Sequence, residues 1–592
     1  MRPTFLSRLI RLVAIIAGTM MIGSSVSDHA SAQKGIDFQG INLHSSSFFS
    51  LNPLNGDGKY IQASLNGALD AGGVDAVRFM DGAALARFYG EREGEMLWVD
   101  PRGTIHPKAA VAFHAFEESW THGLNPETYH ISLLAPLMNA ATPAEKARLE
   151  LLLSDALMRY AHDLTGLRFS AKTLNLDPVS WKQPMAGYDA LTLMAEAGDV
   201  QAGFDSLAPQ DGLYNHLREE LIRLAESPDR AYEQALPITL PNGILRPGDI
   251  SGAVPALRAR LGLTHDPLYG PERKYDDQLA AAVMKFQRRN GLGADGAIGP
   301  KTLEMLNRTT RQKMDQIVVN MERLRWLSPE KPDKYILVNI PSATLWAVEN
   351  GEVAAKMPVI VGRPERPTKS FITEITGMRF NPKWTVPPTI KARDFLPKLV
   401  EDPYYLHNKG IEVSQIIDGV RYTLDSTAID WSTVSRRDLQ SLRMVQNSGD
   451  DNALGRYRVL MENPYDIYLH DTNSPSLFSK PDRALSSGCI RMAKPEAIAH
   501  FILHGNKGWS DQRMSRIVAS GKTSEVGAAE RIKVYILYLT IWQDDQGELV
   551  YGPDIYKQDR RLLEQMNAQK SYHIPDLQAV KYAVGNSANA VQ

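Results

Sequence analysis

The chain holds one cysteine, Cys489, in the run Ala484-Leu-Ser-Ser-Gly-Cys-Ile-Arg-Met492, and nineteen residues earlier stands His470, in Tyr468-Leu-His-Asp-Thr472. A free thiol titrates near 8.5 and is mostly protonated at neutral pH. An imidazole within reach takes its proton and forms a thiolate–imidazolium pair. A third group on the other ring nitrogen, for which Asp471 is the candidate, fixes the tautomer. Ser487-Gly488 before the cysteine reads as a tight turn. Gly488 permits close approach, and the N–H groups of Gly488 and Cys489 are candidates for an oxyanion hole. If a strand follows, Arg491 lies on the same side as Cys489. Such a set suits acyl transfer through a thioester, with a thiol midpoint below the free value that rises when His470 is removed. The residue types alone leave duller readings open. A lone Cys is commonly a small buried hydrophobe, His470 a core or surface histidine, Asp471 a loop cap and Arg491 half of a surface ion pair.

A pair nineteen residues apart needs a fold to bring it together. At 592 residues the chain exceeds a single core, which rarely passes roughly 250–300 residues. Its 43% hydrophobic and 23% charged content is that of an ordinary globular protein. A formal net charge of −2 supplies no basic stripe for nucleic acid. Arg2, Arg8 and Arg11, the apolar run Leu12–Gly23 and the box Ala30-Ser-Ala32 predict a signal peptide over 1–32, hence a protein outside the cytoplasm. With one cysteine no disulfide framework is available. A metal mechanism finds no support: there is no H-E-x-x-H, a single Cys makes no thiolate cluster, and His114 and His122 are eight apart. No cofactor is implied.

Residues 33–58, rich in Ser, Asn and Gly, read as a linker. Over 59–240 the period is helical: Leu149, Leu152, Leu153, Ala156, Leu157, Tyr160 and Leu164 make one apolar face. A Pro- and Gly-rich break then leads into a module at 246–308. Val254, Leu257 and Leu261, then Leu279, Val283 and Phe286, then Leu303 and Leu306 predict three short helices, the last opened by Pro300. From 332 to 562 the runs Tyr335–Ile340, Thr344–Val348, Val353–Val361, Tyr465–Leu469 and Val534–Ile541 predict a β-dominated domain, with Asn350-Gly351 as a hairpin turn. The polar segment at about 390–450 is too long for a loop and predicts a subdomain over the sheet. Residues 563–592 read as a tail. The fold class is thus multidomain α+β.

Two stretches resemble known families. Gly248-Asp-Ile-Ser-Gly252, Ala282-Val-Met-Lys-Phe-Gln287 and Gly291-Leu-Gly-Ala-Asp-Gly-Ala-Ile-Gly-Pro-Lys-Thr-Leu303 are similar to the three-helix peptidoglycan-binding domain. His470-Asp-Thr with Ser486-Ser-Gly-Cys-Ile-Arg491 resembles the active-site signature of the L,D-transpeptidases, the cysteine transpeptidases of peptidoglycan with a YkuD-type catalytic domain. Tyr335-Ile-Leu-Val-Asn-Ile-Pro341, Val359-Ile-Val-Gly-Arg363, Asn381-Pro-Lys-Trp-Thr-Val-Pro387 and Asn452-Ala-Leu-Gly455 extend the likeness to the long periplasmic members. Ala86-Arg-Phe-Tyr89, Trp98 and His122-Gly-Leu-Asn-Pro126 resemble the helical scaffold domain of the same members.

The resemblance implies Cys489 as nucleophile, His470 as base, Asp471 as orienting group (some members use a backbone carbonyl), and Gly488 and Cys489 as oxyanion donors. Arg491 then holds the loop or the substrate. Many members have His where Ser487 stands, so no base comes from that position, and Ser487 is left with positioning. The implied partner is peptidoglycan, with a tetrapeptide stem as donor and a diaminopimelate-type amine as acceptor. Rival readings are a cysteine carboxypeptidase on the same stems, a binding scaffold, and attachment of a protein lysine to the wall.

Overall fold

The computed structural model describes residues 56–575, apart from 93–94, 101, 228–233, 237, 241–242 and 267–269. The expected signal segment 1–32, residues 33–55 of the expected linker and residues 576–592 of the expected tail lie outside the described residues. The end of that linker is helical, because a helix begins at Gly56. Among the described residues no helix is long and apolar enough to cross a membrane.

The N-terminal region is helical, as its periodicity requires. Its longest helix, α1 (Pro143–Thr165), starts with a Thr142/Glu145 capping box and Pro143 in its first turn. Leu149, Leu152, Leu153, Ala156, Leu157 and Leu164 are fully buried in the largest helical core. Three short helices, Val254–Arg260, Asp277–Arg289 and Pro300–Leu306, then enclose Val254, Leu257, Leu279, Val283 and Leu306.

Helix α2 (Thr310–Arg325) follows, in a stretch where the sequence suggested no element. Its hydrophobic residues are interrupted by polar ones, and those polar residues are buried as well. Met314, Ile317, Val318, Met321 and Leu324 share one core with Tyr214 and Leu217 of the helical region and with Leu537, Leu539 and Ile541 further on. Asn320 takes the backbone N–H of Thr540 at 2.8 Å and donates to its hydroxyl at 2.7 Å. The helix is a wedge common to both regions.

The β-rich domain is a closed sheet. Its strands are β1 (Lys334–Asn339), β2 (Thr344–Glu349), β3 (Glu352–Gly362), β4 (Phe371–Phe380), β5 (Tyr457–Met461), β6 (Leu469–His470), β7 (Ala484–Ser486), β8 (Ile490–Met492) and β9 (Ser524–Leu537). They lie in the order β7-β3-β8-β6-β5-β4-β9-β1-β2, and β2 also pairs with β3, which closes the ring. Asn350 and Gly351 both have positive φ in the β2–β3 turn, as that dipeptide predicts. Inside, Ile336, Val338, Leu345, Phe380, Val459, Leu469 and Ile490 pack with Ile498 and Ile502 of helix α3 (Pro495–Leu503). Each such side chain contributes about 1.5–3 kcal/mol of burial.

Two strands differ from their expected extents. Of the run 465–469 only Leu469 lies in a strand, which continues to His470, because Asp466 takes a positive φ and breaks the extension. The last strand starts ten residues before Val534, in a more polar stretch that pairs with the Met378–Phe380 end of β4. The expected boundary at 562 falls inside a helix, Gln558–Ala568, whose Leu562 and Met566 are buried in the shared core, so residues 563–568 are structured.

The segment between β4 and β5 folds by itself. Trp384–Thr385, Arg443–Gln446, Ile411–Ile417 and Val420–Leu424 form a four-stranded sheet over Leu399, Leu406, Trp431 and Met444. We call it the cap.

Candidate active site

Strand register decides which side chains meet. Arg458 of β5 pairs with His470 of β6. On the other side β6 runs parallel to β8, with Leu469 opposite Ile490 and His470 opposite Arg491. Side chains alternate across a sheet. Val459, Leu469 and Ile490 therefore fill the barrel, and Arg458, His470 and Arg491 form a lateral row on the opposite face. One step back in register, the Ile490 N–H donates to the Tyr468 carbonyl at 3.0 Å, which sets Cys489 beside Tyr468. Cys489 is thus the diagonal neighbour of His470, a relation of about 7–8 Å between backbones that long side chains bridge.

His470 is 5 % exposed. Its Nδ1 lies 2.5 Å from the Asp471 carbonyl oxygen. A carbonyl only accepts, so Nδ1 carries the proton and Nε2 is left as a base. Burial first, then the charges of Arg491 and Arg458, push the imidazole down to about 3 against the pull of that carbonyl. The Cys489 thiol lies 3.5 Å from the Asp466 carbonyl oxygen, beside Tyr468. Burial pushes it above its ordinary value, although Tyr468 and Arg458 work in the other direction. Both directions run against the expected thiolate–imidazolium pair and its lowered thiol midpoint, because burial disfavours the charged form of each group and the Arg491 and Arg458 charges further disfavour an imidazolium.

The other expected site residues are present in altered roles. Asp471 orients His470 through its backbone carbonyl. Its carboxylate turns away and accepts from the backbone N–H groups of Arg456 at 2.8 Å and Thr472 at 2.7 Å. Gly455 makes room for it, since a Cβ there would stand 2.3 Å from the carboxylate.

Gly488 has φ 121°, open to glycine alone. Its N–H donates to the Ser486 hydroxyl at 3.1 Å, and that hydroxyl donates to the Cys489 carbonyl at 2.6 Å. The Gly488 N–H is thus committed to shaping the loop and does not serve as an oxyanion donor. The Cys489 N–H has no hydrogen-bond partner among the described residues and stays available. Thr368, unmarked in the sequence, clamps the turn by donating to the Gly488 carbonyl at 2.7 Å.

Ser487 ties the nucleophile loop to the cap. Arg366 donates to its hydroxyl at 3.0 Å and pairs through both terminal nitrogens with Asp394, in the cap's helical turn Lys391–Phe395. The segment joining His470 to Cys489 also meets the small three-helix module. Lys301 pairs with Asp482 at 2.9 Å, and a Cβ on Gly293 would stand 2.6 Å from the Pro481 ring. Arg491 donates weakly, at 3.5 Å, to the Thr472 hydroxyl.

Residues 333–519 match the family described as the L,D-transpeptidase catalytic domain, YkuD. Residues 83–221 match the scaffold domain, and 259–306 a peptidoglycan-binding domain. A curated relative, the "Putative L,D-transpeptidase" of Haemophilus influenzae, is 34% identical over 251 residues, 42% of this chain and 48% of that protein. The chain therefore spans about half the length of the curated relative it matches. Among solved structures, an L,D-transpeptidase from Mycobacterium smegmatis is similar at 16% identity, over 34% of this chain and 58% of that one, with a TM-score of 0.17. One from Xylanimonas cellulosilytica is similar at 15%, over 51% of this chain and 99% of that one, with a TM-score of 0.18.

Proposed function

We propose that this chain, whose residues 333–519 belong to the L,D-transpeptidase catalytic-domain family, cross-links peptidoglycan stems through a thioester on Cys489. The observation that carries the reading is the diagonal Cys489–His470 pair, with His470 Nδ1–H held by the Asp471 carbonyl so that Nε2 is left as the base.

Rotation of the Cys489 side chain away from the Asp466 carbonyl brings the thiol toward Nε2. His470 takes the thiol proton as sulfur attacks the carbonyl carbon of the third residue of a tetrapeptide stem. The new S–C bond places an oxyanion at the Cys489 N–H, where a fixed donor is most effective because charge develops there. Collapse breaks the C–N bond to the terminal D-Ala, and imidazolium returns the proton to the leaving amine. The side-chain amine of a second stem, of diaminopimelate type, then gives up a proton to His470 and displaces the thiolate, which regenerates the thiol. The three-helix module supports this reading by tethering the enzyme near wall substrate and raising its local concentration. The leader-like residues 1–32 support a site of action outside the cytoplasm, in the periplasm.

The test is mass spectrometry of the mature chain incubated with a disaccharide tetrapeptide, with Cys489→Ala in parallel. Dimers lacking one D-Ala, absent from the variant, are expected. Tripeptide alone would make the protein a hydrolase, and identical products from both proteins would remove Cys489 from the chemistry.

A further inference from the structure

Arg458 and Arg491 stand on either side of His470, one strand away in each direction. With strands about 4.8 Å apart, their backbones are roughly 10 Å apart and both side chains rise from the same face. A guanidinium has five N–H donors. Among the described residues the Arg458 guanidinium has no hydrogen-bond partner, and its Nε is buried. It lies flat on the Tyr468 ring, 4.0 Å from the centroid, so its direction is set by stacking. Arg491 has only the 3.5 Å contact with Thr472. Neither pairs with a carboxylate among the described residues, although Arg168, Arg325 and Arg366 all do. The nearby Asp471 carboxylate accepts instead from two backbone N–H groups, one on each oxygen.

We propose that Arg458 and Arg491 form a binding site for the C-terminal carboxylate of the donor peptide. The proposal rests on the transpeptidase reading above. The leaving nitrogen must come within hydrogen-bond reach of His470 to receive its proton. In a tetrapeptide the terminal carboxylate is one Cα beyond that nitrogen, which places it over His470 between the two guanidiniums. An interior peptide bond would present a neutral amide there and leave the cations uncompensated. The site thus selects the last residue of a stem, and so a tetrapeptide donor over a longer one. The stem's other carboxylates have the same chemistry but branch from before the scissile bond, away from His470.

The test measures the second-order rate of thioester formation on Cys489, by intact mass, in the full mature chain. Three donors are compared: the free tetrapeptide, its C-terminal carboxamide, and the tetrapeptide amidated at the third residue's side-chain carboxylate. The terminal carboxamide is expected to react about 10- to 100-fold more slowly, in keeping with loss of a charge-assisted contact. The side-chain amide should change little. Arg458→Gln should lose a similar factor on the free acid and almost none on the terminal carboxamide, and Arg458→Lys should recover part of it.

Equal rates for the free acid and the terminal carboxamide would overturn the proposal while leaving the transpeptidase intact. Sensitivity to the side-chain amide alone would overturn the terminal assignment. An Arg458→Gln loss of equal size on all three donors would make Arg458 structural. If that variant does not fold, the wild-type donor comparison still decides. No thioester with any donor would defeat the parent reading itself.

Discussion

Two sets of arginines in this molecule have opposite surroundings. At the junction of the helical region and the barrel, Glu322 is fully buried and accepts from Arg168 at 3.0 Å, Arg325 at 2.8 Å and the Trp326 indole at 3.0 Å. Arg325 also donates to the His122 carbonyl and to Tyr214. Charges there meet charges, although the Arg168 Nη2 is itself buried without a partner. On the barrel face Arg458 and Arg491 flank His470 with nearly all of their donors unused. Buried cations are costly unless paired and hydrogen-bonded. The donors left without a carboxylate beside His470 are the ones that the proposed terminal-carboxylate site would use. A charge tally would score both regions alike; the partners tell them apart.

The contrast breaks most readily at the junction. Glu322→Ala should lower stability by about 3–5 kcal/mol in denaturant unfolding, because it leaves buried Arg325 without a carboxylate and Arg168 with Asp163 alone. Arg458→Gln, which removes a stacked cation and no hydrogen bond, should cost about 1 kcal/mol or less. Similar losses in the two variants would erase the distinction. Within the row, His470→Ala should slow thioester formation by about 10²–10⁴-fold, the usual contribution of a general base. An unchanged rate would place the base elsewhere.

Titration sharpens the picture. Alkylation of Cys489 should rise only through and above the ordinary thiol range near 8.5, and His470→Ala should leave the midpoint almost unmoved. A plateau of reactivity at mildly acidic pH would restore the ion pair. The folded His470 value of about 3 lies below its ordinary 6.5, so between them the unfolded chain binds the extra proton. Stability should therefore fall as pH drops from about 6.5 toward 3, and His470→Gln should flatten that slope. The smallest effect belongs to the latch. Asp394→Ala should cost about 0.2–1 kcal/mol but raise the ratio of thioester hydrolysis to transfer, since a loosened cap admits water. A constant ratio would leave the cap without a shielding role.

Much of the site was legible because its signals are local. The alternation around Leu469 and Ile490 gives their faces, and Gly488 marks a turn with positive φ. The pairing partner of β6 was illegible. Arg458, twelve residues before His470, becomes its neighbour only through strand register, and its charge adds to the burial and the Arg491 charge that disfavour an imidazolium. Likewise the carboxylate of Asp471 could not be assigned until Gly455 and the N–H of Arg456 were known to receive it. Helix α2 escaped for a related reason: its burial comes from partners on both sides, so polar Asn320, Glu322 and Arg325 interrupt the stripe that periodicity looks for. The cap was visible by length, although its first strand, Trp384–Thr385, begins before the expected start near 390.

The place where the cap enters and leaves has a consequence of its own. Phe380, the last residue of β4, pairs directly with Tyr457, the first of β5, and the Asn381 N–H donates to the Arg456 carbonyl at 2.8 Å. To the barrel, everything from 382 to 455 is one hairpin loop closed by a ladder rung. The entropy of closing such a loop grows only by about 0.6 kcal/mol for each doubling of its length. Chains of this architecture are therefore free to lengthen, shorten or exchange this insert over evolutionary time without renegotiating the barrel's register. What lies over Cys489 can change while Cys489 itself stays in place.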